Sequence, residues 1–213
     1  MADQSVDKNM KIAVVLTGGT IGSKVDSDGW IKTCREQGEE ILSAFRAKYP
    51  LESKNYQFEC YQPYQILSEQ MDDRYMLCLI REIGERLKQA EFDAILVCHG
   101  TDTLQYSAAM LGLVYEDVDI PIILVSANYP LQDERTNGLD NFAYAVFASR
   151  LNVSGVMVSY RNADGRTYLH YGTMLLSHQT FEDDLYSMHQ EYIGYYTADG
   201  KWVKRESEKP VRR

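Results

Sequence analysis

Of 213 residues only five are proline and four are cysteine, and no apolar run approaches the length of a membrane span. Cys34, Cys60, Cys78 and Cys98 form no CxxC pair and no metal-ligand spacing with the four histidines, which argues against a zinc knuckle or a dithiol redox motif. They are read as reduced thiols, and neither a metal nor a cofactor is expected. Residues 1–9 are polar and carry no apolar stretch of the kind a secretory signal needs, so the expectation is a cytoplasmic protein without membrane contact. Positive charge is also scarce, 22 Lys and Arg against 31 Asp and Glu, for a formal net charge of −9. Nonspecific nucleic-acid binding needs basic surface to displace counterions from phosphate, so that class is disfavoured and a small neutral or zwitterionic ligand fits better.

What is present is ample core material: 45% of the residues are hydrophobic. Ile12–Leu16, Ala94–Cys98, Ile120–Val125 and Val153–Val158 are short, β-branched runs bounded by turn residues, as strands buried on both faces should be, with Tyr56–Tyr61 a weaker fifth. Helical patterns lie between them at Glu36–Lys48, Asp72–Gln89, Leu104–Tyr115 and Asn141–Leu151. The alternation predicts a three-layer, Rossmann-like α/β fold, with helices on both faces of a mainly parallel sheet. In the helix at 72–89, Leu77, Ile80, Ile83, Gly84 and Leu87 are expected to face the sheet. After Tyr160 the pattern predicts a strand at Thr167–Tyr171, a short helix at Phe181–His189, and a hairpin of Tyr192–Tyr196 with Trp202–Val203 around Ala198-Asp199-Gly200. No repeat or linker interrupts the chain, so the expected organisation is a tail over 1–9, one domain over 10–204 and a second tail over 205–213.

Two threonine-glycine segments follow strand-like runs. Thr17-Gly18-Gly19-Thr20 comes after Ile12–Leu16, and His99-Gly100-Thr101-Asp102-Thr103 comes after Ala94–Cys98. Loops leaving the carboxyl ends of parallel strands converge on one rim, so both should meet there. Glycine lets backbone N–H groups approach a ligand closely, and a threonine hydroxyl donates, accepts, or attacks once a neighbour takes its proton. Read as structure alone, Asp102 would cap the following helix, Thr101 and Thr103 would be capping hydroxyls, and His99 would be a hydrogen-bonded core histidine.

These two segments, the first extended through Ile21-Gly22, and the stretch Pro121–Val146 resemble the bacterial-type L-asparaginase/glutaminase family over its amino-terminal domain. The resemblance implies an amidohydrolase that releases ammonia from a small side-chain amide such as asparagine through an acyl-enzyme. It implies Thr20 as nucleophile and Thr101 in the second threonine site. Asp102 would hold the substrate α-amino group and Ser68 its α-carboxylate, while backbone N–H groups near Gly100 and Thr101 would stabilise the oxyanion. It further implies a homo-oligomer, for which Tyr192, Tyr195 and Tyr196 are candidate contacts.

Three departures accompany the resemblance. The family's lid tyrosine falls on Trp30, whose indole N–H cannot accept a proton. Its lysine falls on Leu176, and no lysine stands between Lys88 and Lys201. The family's carboxyl-terminal domain, which helps to close a neighbour's site, is expected to be absent or reduced to the tyrosine-rich tail. Lys24 from the lid and His178, two residues past the lysine position, are the candidate substitutes. The alternative to a hydrolase is therefore a catalytically degenerate module that binds an amino acid or another small ligand.

Overall fold

The computed structural model describes residues 9–19, 21, 23–25, 31–33, 37–179 and 182–206. Its main sheet has eight strands: β1 (Met10–Leu16), β4 (Tyr56–Tyr61), β5 (Ala94–Cys98), β6 (Pro121–Val125), β7 (Gly155–Arg161), β8 (Thr167–Tyr171), β9 (Tyr192–Tyr196) and β10 (Trp202–Lys204). A separate small ribbon pairs β2 (Ser23–Val25) with β3 (Ile31–Thr33) antiparallel. In the main sheet the order is β10-β9-β8-β7-β6-β5-β1-β4. β4, β1, β5, β6 and β7 run parallel, and the last three pairings are antiparallel.

The pleat sends alternate strand residues to opposite layers. Ile12, Val14 and Leu16 of β1 join Leu96, Ile123 and Val125 in the core beneath α1 (Gln37–Lys48) and α4 (Gly138–Ala148), where Phe45 and Phe142 pack edge to face with ring centroids 5.9 Å apart. Ala13 and Val15 join Ile95, Val97, Ile122 and Leu124 beneath α2 (Asp73–Gln89) and α3 (Leu104–Val114). Every residue of β5 and β6 is buried, which is why both read as unbroken apolar runs. The expected three-layer α/β fold with a mainly parallel sheet is the one observed.

Several expectations need correction. Leu77 is 50% exposed, whereas Leu79 and Ile83 are fully buried. At about 100° per residue, Leu77 lies far around the helix from Leu79, and the sheet takes the 79/83 face. Phe181–His189 is not a helix over its described part: only Met188–Gln190 form a short 3-10 turn, and Leu175 and Ser187 make an antiparallel bridge. The backbone partners there are distant in sequence, with Asn162 clasping both the N–H and C=O of Leu185 and Tyr186 C=O taking the Leu176 N–H. β7 starts two residues later than expected and runs on to Arg161. The fourth helix runs from Gly138 to Ala148 rather than from Asn141 to Leu151; Asn141 sits inside it, its side-chain amide donating to Ser126 C=O (2.7 Å) and its side-chain oxygen accepting the Arg161 N–H (2.6 Å).

In register, Leu16 of β1 lies beside Cys98, Cys98 beside Val125, and Val125 beside Ser159, so four strands end at one rim. After β1 the chain moves outward to β4, then returns to the other side of β1 as β5. The sheet order therefore reverses between β1 and β5, and the crevice above that reversal is where ligands of open α/β sheets sit.

Candidate active site

Three loops meet at that crevice, and glycine is what allows it. Thr17 is anchored twice on Cys98 C=O, by its N–H at 3.1 Å and its hydroxyl at 2.8 Å. Gly18 and Ile66 continue the parallel pairing of β1 and β4 one step beyond the strands, with Gly19 N–H on Ile66 C=O at 3.0 Å and Ile66 N–H on Thr17 C=O at 3.1 Å. Gly18 and Gly19 have φ of +104° and +75°, and a Cβ on Gly19 would overlap the backbone nitrogen of Gly100. A Cβ on Gly100 would in turn overlap Ser68. The turns after β1, β4 and β5 are thus stacked at backbone contact.

On this stack Ser68 and Asp102, 34 residues apart in sequence, form a reciprocal pair. Ser68 is 5% exposed; its hydroxyl donates to Asp102 Oδ2 at 2.6 Å and accepts the Asp102 N–H at 3.3 Å. Thr103 reinforces the join, its hydroxyl donating to Ser68 C=O at 3.1 Å. The capping reading of this segment does not hold. Thr103 occupies the N-cap position of α3 without a side-chain cap bond, and the Asp102 carboxylate turns to Ser68 while remaining exposed. Oδ1 of Asp102 meets no hydrogen-bond donor among the described residues, so a ligand has an anionic acceptor beside a buried hydroxyl.

His99 is the core histidine expected: 1% exposed, with Nδ1 at 2.8 Å from Gly100 C=O and Nε2 at 2.9 Å from the Ser107 hydroxyl. Burial lowers its pKa from the ordinary value, outweighing the Gly100 carbonyl and the Asp102 charge, so it is neutral at physiological pH. Thr101 is half-buried between His99-Gly100 and Asp102, its C=O accepting the Leu104 N–H at 3.3 Å.

The activating side is different. The short turn Gly172–Met174 packs on α3, with Gly172 against Ala108 and Gly112 against Thr173, and it leads into Leu176. Leu176 is 38% exposed and is fixed through its backbone; its neighbour Ser177 is the partner of Gln105 Nε2 at 3.5 Å, while the same Nε2 also reaches Asp102 C=O at 3.3 Å. The segment on which the family's lysine was expected to fall therefore reaches the base of α3 through Ser177. The half-buried His178 ring turns to Gln179 C=O at 3.3 Å. Among the described residues, no amine or imidazole bonds the Thr101 hydroxyl.

Of the sequence candidates, Ser68, Gly100, Thr101 and Asp102 come together. Thr20 and Trp30 lie outside the described residues, as does the side chain of Lys24, whose backbone belongs to β2. The sequence names Thr17 only as part of its glycine turn and gives no role to Ser107, Gln105 and Ser177; the one visible signal is the pair of polar residues, Gln105 and Ser107, on the buried side of an otherwise apolar helix. No group of three or more His, Cys, Asp or Glu able to hold a metal occurs among the described residues. A cleft of about 580 Å³ near Arg86, Phe92 and Tyr115, and one of about 350 Å³ beside His170, contain none of the site residues.

Residues 11–209 match the family described as Asparaginase, N-terminal. The chain belongs to the asparaginase family. Among its relatives, a glutamyl-tRNA(Gln) amidotransferase subunit of Methanosarcina barkeri is 30% identical over 220 residues, which cover 98% of this chain and 50% of that protein. The same-named protein of Halobacterium salinarum is 30% identical over 192 residues, 88% of this chain and 43% of that one. This asparaginase-family chain thus spans about half the length of the curated relatives it matches. In fold it is similar to the thermostable L-asparaginase of Thermococcus kodakarensis, with a TM-score of 0.76 and 22% identity over 96% of this chain and 58% of that one. It also resembles a probable cytoplasmic L-asparaginase of Campylobacter jejuni, with a TM-score of 0.71 and 24% identity over 92% and 57% of the two chains. No helix among the described residues is long and apolar enough to cross a membrane.

Proposed function

We propose that this chain binds a small amino acid carrying a side-chain amide and hydrolyses that amide through the Thr20 hydroxyl. The observation that carries the reading is the Ser68–Asp102 pair, held at 2.6 Å on the sheet's switch point. A carboxylate beside a hydroxyl suits a zwitterion: Asp102 accepts from the α-ammonium, and Ser68 rotates its proton to the α-carboxylate. In the reaction, Thr20 Oγ bonds the amide carbon as the carbonyl π pair moves to oxygen. Collapse breaks the C–N bond, and the nitrogen leaves as ammonia with the proton the hydroxyl gave up. Water then cleaves the ester and restores that proton, so the sum is amide plus water to acid plus ammonia.

Ammonia release from asparagine, glutamine and related amides tests this in wild type and Thr20→Ala. Release abolished by the substitution is the expected result; no release from any amide, with no effect of the substitution, removes the hydrolase reading. Leu176 at the lysine position favours one second reading, a module that binds the amino acid without turning it over. Calorimetry with aspartate separates the two, since tight binding without ammonia release supports the second.

The relatives are named as tRNA amidotransferase subunits, and moving an amide nitrogen is the chemistry that joins that name to asparaginases. The charge of −9 supports a division of labour in which this chain handles the amide and any tRNA is held by another polypeptide. A cytoplasmic homo-oligomer completes the reading. The uncharged helix α3, with Tyr106, Met110 and Leu113 exposed along one side, supports the oligomer, and light scattering that shows a strict monomer would remove it.

A further inference from the structure

We infer that His99 is a positioning residue that fixes the direction of the Thr101 backbone N–H at the candidate site. The inference rests on the proposed function, in which that N–H faces a developing oxyanion. The argument starts from proton inventory. A carbonyl oxygen only accepts, so the 2.8 Å contact between His99 Nδ1 and Gly100 C=O places the ring proton on Nδ1. A neutral imidazole then offers Nε2 as an acceptor, and the Ser107 hydroxyl, 2.9 Å away and itself fully buried, donates to it. Both ring nitrogens are satisfied in one tautomer, and the 1% exposure of His99 keeps water from competing. The backbone of His99 is pinned as well, its N–H donating to Val125 C=O at 2.9 Å.

The carbonyl that His99 grips belongs to the Gly100–Thr101 peptide. Among the described residues there is no cis peptide bond, and in a planar trans peptide the N–H points opposite to the C=O. Holding Gly100 C=O against the buried ring therefore turns the Thr101 N–H away from the core. Glycine at 100 would otherwise leave this plane free to rotate, because glycine tolerates nearly every backbone conformation. Two donors that follow it are engaged: Asp102 N–H goes to Ser68 Oγ at 3.3 Å and Leu104 N–H to Thr101 C=O at 3.3 Å. The Thr101 N–H has no acceptor among the described residues, and it stands next to the Ser68–Asp102 pair. An unspent donor, orientation-locked and adjacent to a ligand clamp, is what preorganised stabilisation of an oxyanion requires.

The test uses the full chain and reads geometry and rate separately. His99→Leu fills the space without a donor, whereas His99→Gln returns a donor for Gly100 C=O and an acceptor for Ser107. In His99→Leu the residual dipolar coupling of the Thr101 N–H should change while those of α3 beyond Ser107 stay the same. Its kcat for ammonia release should fall about 10²-fold with KM within about threefold, the loss of one oxyanion donor rather than of binding. His99→Gln should restore most of both. If His99→Leu does not fold, Ser107→Ala replaces it, freeing Nε2 and loosening the ring, with the same changes expected at smaller size. A Thr101 coupling unchanged in the variant, or a kcat within twofold of an active wild type, overturns the positioning role. Should wild type release no ammonia while the Thr101 coupling still follows residue 99, the hydrolase reading falls and the positioning role stands.

Discussion

The two walls of the candidate site are built with unequal care. On one wall, Ser68, Asp102 and Thr103 exchange three hydrogen bonds across 34 residues of sequence, on turns so close that Gly19 and Gly100 touch at the backbone. On the other wall the chain packs on α3 and brings Ser177 to 3.5 Å from Gln105, and the residue beside Ser177 is the half-exposed Leu176. Recognition needs fixed polar groups, whereas hydroxyl activation needs a group that gains and loses a proton near neutrality. Under the proposed function the first wall would serve recognition, while Leu176 brings no such titrating group to the second.

The largest way to break that contrast is Leu176→Lys. An ammonium at a site 38% exposed to solvent has a modest desolvation cost, and general acid-base assistance is typically worth about 10²–10⁴-fold. The expected outcome is a rise in kcat for ammonia release of about 10²-fold or more at little change in stability. An unchanged kcat, with the substituted chain folded, would mean that this wall does not serve the Thr101 hydroxyl. Next in size is Asp102→Ala on the first wall. Removing the anionic acceptor for an α-ammonium should weaken aspartate binding by about 3 kcal/mol, or roughly 10²-fold, read by calorimetry. Binding within threefold of wild type would show that the clamp lies elsewhere.

A second contrast, between buried histidines, sharpens the first. His99 has both ring nitrogens partnered, whereas His170, in the antiparallel part of the sheet, has Nδ1 at 2.7 Å from the Ser187 hydroxyl and no partner for Nε2 among the described residues. Burial pushes the His170 pKa down to about 3, and that of His99 is lowered in the same direction. The unfolded chain takes up a proton on each near pH 6.5, while the fold refuses it. Stability is therefore insensitive to these groups above pH 6.5 and falls as the pH drops from 6.5 toward 3, by about 1.4 kcal/mol per pH unit for His170. His170→Phe should flatten this acid limb of the melting-temperature profile; an identical limb in the variant would place the loss on other groups.

The fold was legible in the sequence because its signals are local. Buried parallel strands such as Ala94–Cys98 are unbroken apolar runs, and Gly18 and Gly19 mark the positive-φ turn that the rim requires. The segment 181–189 was misread because its apolar residues imitate a helical face, while its backbone bonds go to Asn162 and Leu176, which local pattern cannot reveal. The Ser68–Asp102 pairing was reachable only through family resemblance, since nothing local joins residues 34 apart. The His99–Ser107 link escaped for a similar reason: it crosses from a loop into a helix, and no periodic spacing predicts it.

The smallest predicted effect is Ser68→Ala, and it separates the two duties of the first wall. The serine hydroxyl gives Asp102 Oδ2 a hydrogen bond and receives the Asp102 N–H, so its loss leaves one backbone donor unpaired and lets the carboxylate swing toward water. Because Asp102 is exposed, water replaces part of what is lost, and the fold should weaken by only about 1 kcal/mol. Binding should respond more than stability if Ser68 also meets the α-carboxylate: aspartate affinity is expected to fall about tenfold, while a simple amine lacking the carboxylate loses much less. Equal losses for the two ligands would mean that Ser68 only steadies Asp102, and that the carboxylate of the substrate is met by another group.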